Sequence, residues 1–134
     1  DNAKMGLPEV SLGVIPGFGG THRLQQLVGK GRAMELIMTA GMIGANQALQ
    51  YGLVNHVTPL DELIDFAEEL ARKIMRNSSV AIAAAISAIN AGFEEGENGY
   101  DTEITQFGQC FGTADFKEGT AAFLEKRKPK FPGK

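Results

Sequence analysis

Near the start of the chain one carboxylate stands alone among aliphatic side chains. In "LPEVSLGVIPGFGG", residues 7–20, Glu9 is the only acid between Asp1 and Glu35, and Leu7, Pro8, Val10 and Leu12 surround it. A carboxyl group kept beside such neighbours loses hydration, which favours its neutral form and equips it for general acid/base work. The plainer alternative is a glutamate at the solvent end of a strand. The loop that follows, Gly17-Phe18-Gly19-Gly20, opens a helix and offers backbone N–H groups to an anion. It has neither the Lys-Ser/Thr of a P-loop nor the G-x-G-x-x-G spacing, so a tight turn that lets backbone approach a neighbour closely is the simpler reading.

The remaining reactive types are scattered. His22 and His56 have no partner close in sequence, and with only two histidines and one cysteine a zinc site is not expected. Cys110 lies on the aromatic stripe of its helix and reads as a small core residue; one cysteine leaves no internal disulfide and fits a reducing, cytoplasmic compartment. Met34, Met38 and Met42, at i, i+4, i+8, read as adaptable core packing. Lys126, Arg127, Lys128, Lys130 and Lys134 crowd the last nine residues, a tail able to meet an anion or simply to be solvated. "RAMELIMTAGMIGANQALQYG" has the outline of a DNA-reading helix pair, yet its second helix offers Asn46, Gln47 and Gln50 with no Lys or Arg for phosphates. Nucleic acid is not an expected partner.

These residues must be positioned by a small set of elements. Val10, Leu12 and Val14 alternate with Glu9, Ser11 and Gly13, which predicts an extended strand-like segment from Leu7 to Ile15, with Glu9 pointing away from the aliphatic face. A helix opened at Gly19-Gly20 or Thr21 runs to Gly29, a second spans about Arg32 to Thr39, and a third lies between Gly44 and Gly52. Leu53 to Val57 reads as a short extended connection. Thr58-Pro59, a Thr N-cap before a Pro at the first helical position, marks the clearest boundary.

Beyond it the chain reads as helical throughout. Leu60, Leu63, Ile64, Ala67, Leu70, Ala71 and Ile74 form one apolar stripe. "SVAIAAAISAINAGF" is small or apolar on nearly every side, which predicts a central helix packed all round. Tyr100, Ile104, Phe107 and Phe111 line a further helix, and Asp115 with Glu118 reads as a capping box for a last one carrying Phe116, Thr120 and Phe123. The expectation is a mainly α chain, about seven helices with one or two short strands before residue 58. One small domain can supply some of the surfaces that bury these stripes, and a set this apolar also suggests packing against an upstream part or another subunit.

Length and composition agree with a globular domain: 134 residues, 43% hydrophobic, 22% charged, net charge −3. No run approaches the roughly 18 apolar residues that a membrane span requires, so no membrane association is expected. The chain opens on Asp1 rather than Met, which reads as a processed product or a piece of a longer chain, with any targeting signal upstream.

Taken in order, "LPEVSLGVIPGFGGTHRL", "AMELIMTAGMIGANQALQYGLVNHV" and "EGTAAFLEKRKPKF" resemble the second half of an enoyl-CoA hydratase of the crotonase (enoyl-CoA hydratase/isomerase) superfamily. The resemblance covers essentially the whole chain. It implies the C-terminal part of a crotonase-like α/β spiral fold, with residues 1–58 ending the spiral core and residues 59–134 forming a helical trimerisation region. It implies a homotrimer or hexamer and an acyl-CoA thioester substrate, with coenzyme A part of the substrate and no metal or redox cofactor.

By that resemblance Glu9 matches the second of two catalytic glutamates, the one that delivers the proton on the α-carbon side as water adds to trans-2-enoyl-CoA to give 3-hydroxyacyl-CoA. Pro16 and Gly17 match the turn lining the acyl pocket. Phe123 and Lys126 match residues that reach the adenosine end of coenzyme A on a neighbouring subunit. The family's first glutamate and both oxyanion donors lie upstream of the matched region, so these 134 residues alone are expected to be inactive. Gly44 stands where the family often has Ser, and His22 where Gln is common. Two other readings stay open: an enoyl-CoA isomerase of the same fold, using the Glu9 carboxylate alone, and a non-catalytic helical assembly module.

Overall fold

A computed structural model describes residues 1–134. The chain divides into two units, Asp1–Ala67 and Glu68–Lys134. The first opens with β1 (Lys4–Gly6), which pairs antiparallel with β2 (Met42–Gly44), Met5 opposite Ile43. Between them lie a 3₁₀ turn (Glu9–Leu12), α1 (Gly20–Val28) and α2 (Lys30–Met38), and α3 (Ala45–Tyr51) follows β2. Leu24 and Val28 of α1, Ala33 and Leu36 of α2, Ile43 of β2 and Ala48 of α3 form one buried cluster, with Met5, Leu7, Ile37 and Tyr51 packed on it. A second 3₁₀ turn (Leu60–Glu62) leads into α4 (Leu63–Ile74). The second unit continues with α5 (Ser79–Ala91), α6 (Gly99–Cys110) and α7 (Ala114–Leu124). The mainly α expectation and the early placement of the strands hold.

Several expectations do not. The alternation from Leu7 to Ile15 forms no strand; Glu9–Leu12 is a 3₁₀ turn instead. No partner strand is available there, and Ser11 turns both its N–H (2.9 Å) and its hydroxyl (2.7 Å) back to the Pro8 carbonyl. Such local side-chain bonding competes with extended structure, and Gly13, at φ 79°, closes the turn. Thr58 does not cap: Pro59 precedes the 3₁₀ turn, and the Thr58 hydroxyl has no partner. The last helix is capped by Thr113, whose Oγ1 accepts from the Phe116 N–H at 2.9 Å, so Asp115 and Glu118 form no capping box.

The methionine row is exposed rather than core, at 49%, 69% and 54% for Met34, Met38 and Met42. Likewise α5 is not packed all round; only Ala91 of its residues is buried, and Ile86 and Ile89 are exposed. Periodicity reports that a face is apolar. It does not report whether anything covers that face.

The passage from Glu9 into α1 is set by one close contact. Pro16 is buried, and a Cβ added at Gly20 would stand 2.9 Å from the Pro16 Cβ and 3.5 Å from a Leu7 methyl. Only glycine allows that approach. Gly20→Ala is therefore expected to destabilise the protein by about 1–3 kcal/mol through overpacking, whereas at Gly17, where nothing lies within 4 Å, the same change should stay within about 0.5 kcal/mol. Urea midpoints of the two variants check this, and equal midpoints would contradict it.

Candidate functional site

Glu9 is half-buried at the first position of its 3₁₀ turn. Its backbone carbonyl accepts from the Val14 N–H at 3.3 Å, which folds the segment back on itself. Its side-chain Oε2 is shut off from solvent and has no hydrogen-bond partner in the chain. Buried polar atoms are seldom left unpartnered, a state this oxygen shares with the Thr58 hydroxyl.

The loop that follows is a tight turn. The Gly20 N–H donates to the Gly17 carbonyl at 2.9 Å, and the two central residues, Phe18 (φ 53°) and Gly19 (φ 71°), both take the left-handed conformation of a mirror-image turn. For a bulky residue such as Phe18 that conformation is a strained one, and its side chain is fully exposed. Pro16 is buried behind the turn; Gly17 is exposed, with open space where a side chain would stand.

In the second unit, Phe123 is 82% exposed near the end of α7. It borders a largely apolar groove of about 530 Å³, together with Ala81, Cys110, Phe116, Leu124 and Phe131. The helix ends in a Schellman turn: the Arg127 N–H reaches the Ala122 carbonyl (3.0 Å) and the Lys126 N–H the Phe123 carbonyl (3.2 Å). Lys126 occupies the left-handed position, φ 55°, where glycine is usual, and its side chain is exposed.

The residues after that turn fold back and are clasped to α7 by two carboxylates. Glu118 takes the Arg127 guanidinium as a fork, 2.6 and 2.9 Å, and accepts the Lys130 N–H at 2.7 Å. Asp115, buried, accepts the Ser78 hydroxyl and the Gly133 N–H (2.7 Å), while the Ala114 and Asp115 N–H groups donate to the Lys134 carbonyl at 2.8 and 3.1 Å. The Ser78 hydroxyl, with the backbone N–H groups, holds the Asp115 carboxyl below its usual range against the opposing effect of burial. Phe131 lies against Gly119, where a Cβ would come within 3.3 Å of the ring.

The enoyl-CoA hydratase/isomerase family profile matches residues 1–134. The chain belongs to the enoyl-CoA hydratase/isomerase family. It is 48% identical over 128 residues to the short-chain-enoyl-CoA hydratase of Clostridium acetobutylicum, covering 95% of this chain and 49% of that protein. It is 45% identical over 134 residues to the crotonyl-CoA hydratase of Syntrophomonas wolfei, covering 99% and 52%. The crystal structure of enoyl-CoA hydratase from Bacillus anthracis superposes with a TM-score of 0.92 at 42% identity, over 98% of this chain and 52% of that one. The chain thus spans about half the length of these family members.

Of the residues singled out from the sequence, Glu9, Pro16 and Gly17 fall within one loop region of the first unit, and Phe123 and Lys126 within one helix end of the second. His22 is exposed on α1, and His56 is exposed edge-on to Phe66, ring centroids 5.0 Å apart. No three His, Cys, Asp or Glu side chains gather as a metal cluster. Cys110 is half-buried at the groove. Sequence reasoning missed the Ser78–Asp115 and Glu118–Arg127 pairs.

The Arg127 fork, with the Lys130 N–H second, draws the Glu118 carboxyl from 4.5 down to about 2. A carboxylate with a depressed native value stabilises the fold in full above its unfolded value, and that contribution fades as pH falls through the native one. Stability of the native protein should therefore drop between about pH 4.5 and pH 2, and Glu118→Gln should flatten the drop. Urea midpoints across that window check the sign; an unchanged slope in the variant would contradict it.

Proposed function

We propose that the whole protein adds water reversibly across the double bond of a trans-2-enoyl-CoA to give the 3-hydroxyacyl-CoA. The carrying observation is the Glu9 carboxyl, half-buried with an unpartnered Oε2, at the head of the loop that the family resemblance assigns to the acyl pocket. The relatives named as short-chain-enoyl-CoA and crotonyl-CoA hydratases support the reaction type.

In this reading Glu9, protonated, delivers its proton to the α-carbon as water bonds to the β-carbon. The electron pair of the double bond takes up that proton, the partner glutamate takes the proton that water loses, and dehydration runs both transfers in reverse. The partner glutamate and the oxyanion donors come from upstream of the matched half. Pro16 and Gly17 line the acyl end. Phe123 supplies an aromatic face for adenine and Lys126 a cation for phosphate, across a subunit contact. A homotrimer or hexamer would cover the exposed stripe of Tyr100, Ile104 and Phe107. The reading calls on no metal or redox cofactor, and a reducing cytoplasm suits the free Cys110. Isomerisation by the Glu9 carboxylate alone is the second reading, favoured by the family's joint hydratase/isomerase description.

For the complete protein, Glu9→Gln is expected to lower turnover of crotonyl-CoA by about 10²–10⁴-fold with the fold intact; the loss of conjugated thioester absorbance reads it, and unchanged turnover would overturn the role. Lys126→Gly should leave the Schellman turn as stable or more so, since glycine suits its positive φ. The same variant should weaken CoA-thioester binding, more at low salt than at high. A salt-independent loss would assign Lys126 to packing.

A further inference from the structure

In the second unit, sharing Phe131 with the apolar groove, lies a cleft of about 650 Å³. Arg76, just past the end of α4, lines it with Lys128 and Lys130 from the returning tail, beside Asn77 and Ser79 at the approach to α5. None of the residues lining it is acidic, and none of its three cations is within ion-pairing distance of a carboxylate. The carboxylates whose charges reach these cations are already engaged: Glu118 with Arg127, and Glu69 with Lys73 at 2.9 Å. Three like charges gathered on one concave surface repel one another, and an anion is what relieves that repulsion.

The cleft is also held in shape before any ligand arrives. Lys130 is fixed through its own N–H on Glu118, Arg127 by the fork two residues before the Pro129 turn of chain, and Gly133 through its N–H on Asp115. Phe131, between Lys130 and Pro132-Gly133, is seated against Gly119. A preformed cationic cleft loses less ordering entropy on binding than a free basic tail would. Arg76 adds a planar fork that suits phosphate oxygens, and the two lysines add point charges. The volume exceeds the needs of one inorganic phosphate, and three free cations exceed the charge of one carboxylate.

We propose that this cleft is a binding site for a small anion carrying two phosphate groups, or a phosphate with a compact organic body. The inference does not depend on the hydratase reading. Inorganic pyrophosphate is the probe, titrated calorimetrically into the complete protein at low ionic strength. Saturable binding is expected, weakened about tenfold in Arg76→Gln and again in Lys130→Gln, as loss of a charge-assisted contact implies. Lys73→Gln, which removes the same charge from an α4 residue outside the cleft, should leave it unchanged. Absence of saturable binding, or equal weakening in all three variants, would overturn the site and leave only diffuse surface electrostatics. Excess coenzyme A then separates the two sources of phosphate: displacement of pyrophosphate assigns the cleft to the phosphates of a CoA thioester, and retained binding assigns it to a separate phosphate ester.

Discussion

How far each unit encloses its own apolar surface decides how it is held together. The first unit has a two-stranded ribbon and three helices to close around Leu24, Val28, Leu36 and Ile43, and it does so. The second has no such enclosure: its buried apolar residues are Ala91 and Ala122, while Ile104, Phe107 and Phe123 stay open at 69%, 66% and 82%. Each large side chain left uncovered forgoes about 1.5–3 kcal/mol of burial. The second unit is accordingly fastened by polar devices, the Ser78 and Thr113 caps and the clasps at Asp115 and Glu118. Its apolar faces remain exposed.

Two carboxyl groups, one buried and one half-buried, differ in what they bond. Asp115 is buried and accepts from a hydroxyl and backbone N–H groups, so its charge is fully accommodated and its task is to pin the returning tail. Glu9 has an enclosed oxygen with no partner at all. A satisfied buried carboxylate is architecture, while an unpartnered oxygen has room for one more donor. The contact between Pro16 and Gly20 is what keeps the loop after Glu9 tight, and the left-handed Phe18-Gly19 pair is the cost of turning so sharply into α1.

Much of this was legible in the sequence wherever the signal was local. Glycines 29 and 52 do close α1 and α3, and the Tyr100, Ile104, Phe107 spacing does mark α6. The 3₁₀ turn at Glu9 was hidden because a strand needs a partner, and alternation cannot say whether one exists. The Asp115–Glu118 pattern mimicked a capping box because both acids sit in the first turns of α7, yet Thr113 was better placed to reach an N–H. The clasps escaped because their partners lie 37 and nine residues apart, beyond any local period. Glu9 stood out through its isolation among aliphatic neighbours; its role came from resemblance, since one carboxylate and a glycine turn do not specify a reaction.

The account rests on Glu9 moving the proton at the α-carbon. Its most direct test is proton exchange at C2 of 3-hydroxybutyryl-CoA in D₂O, followed by NMR with the complete protein and its Glu9→Gln form. Deuterium is expected to enter C2 with the native carboxyl, with no enzyme-dependent entry with the amide. Equal entry in both would mean that another group carries the proton, and Glu9 would be left with a structural place only.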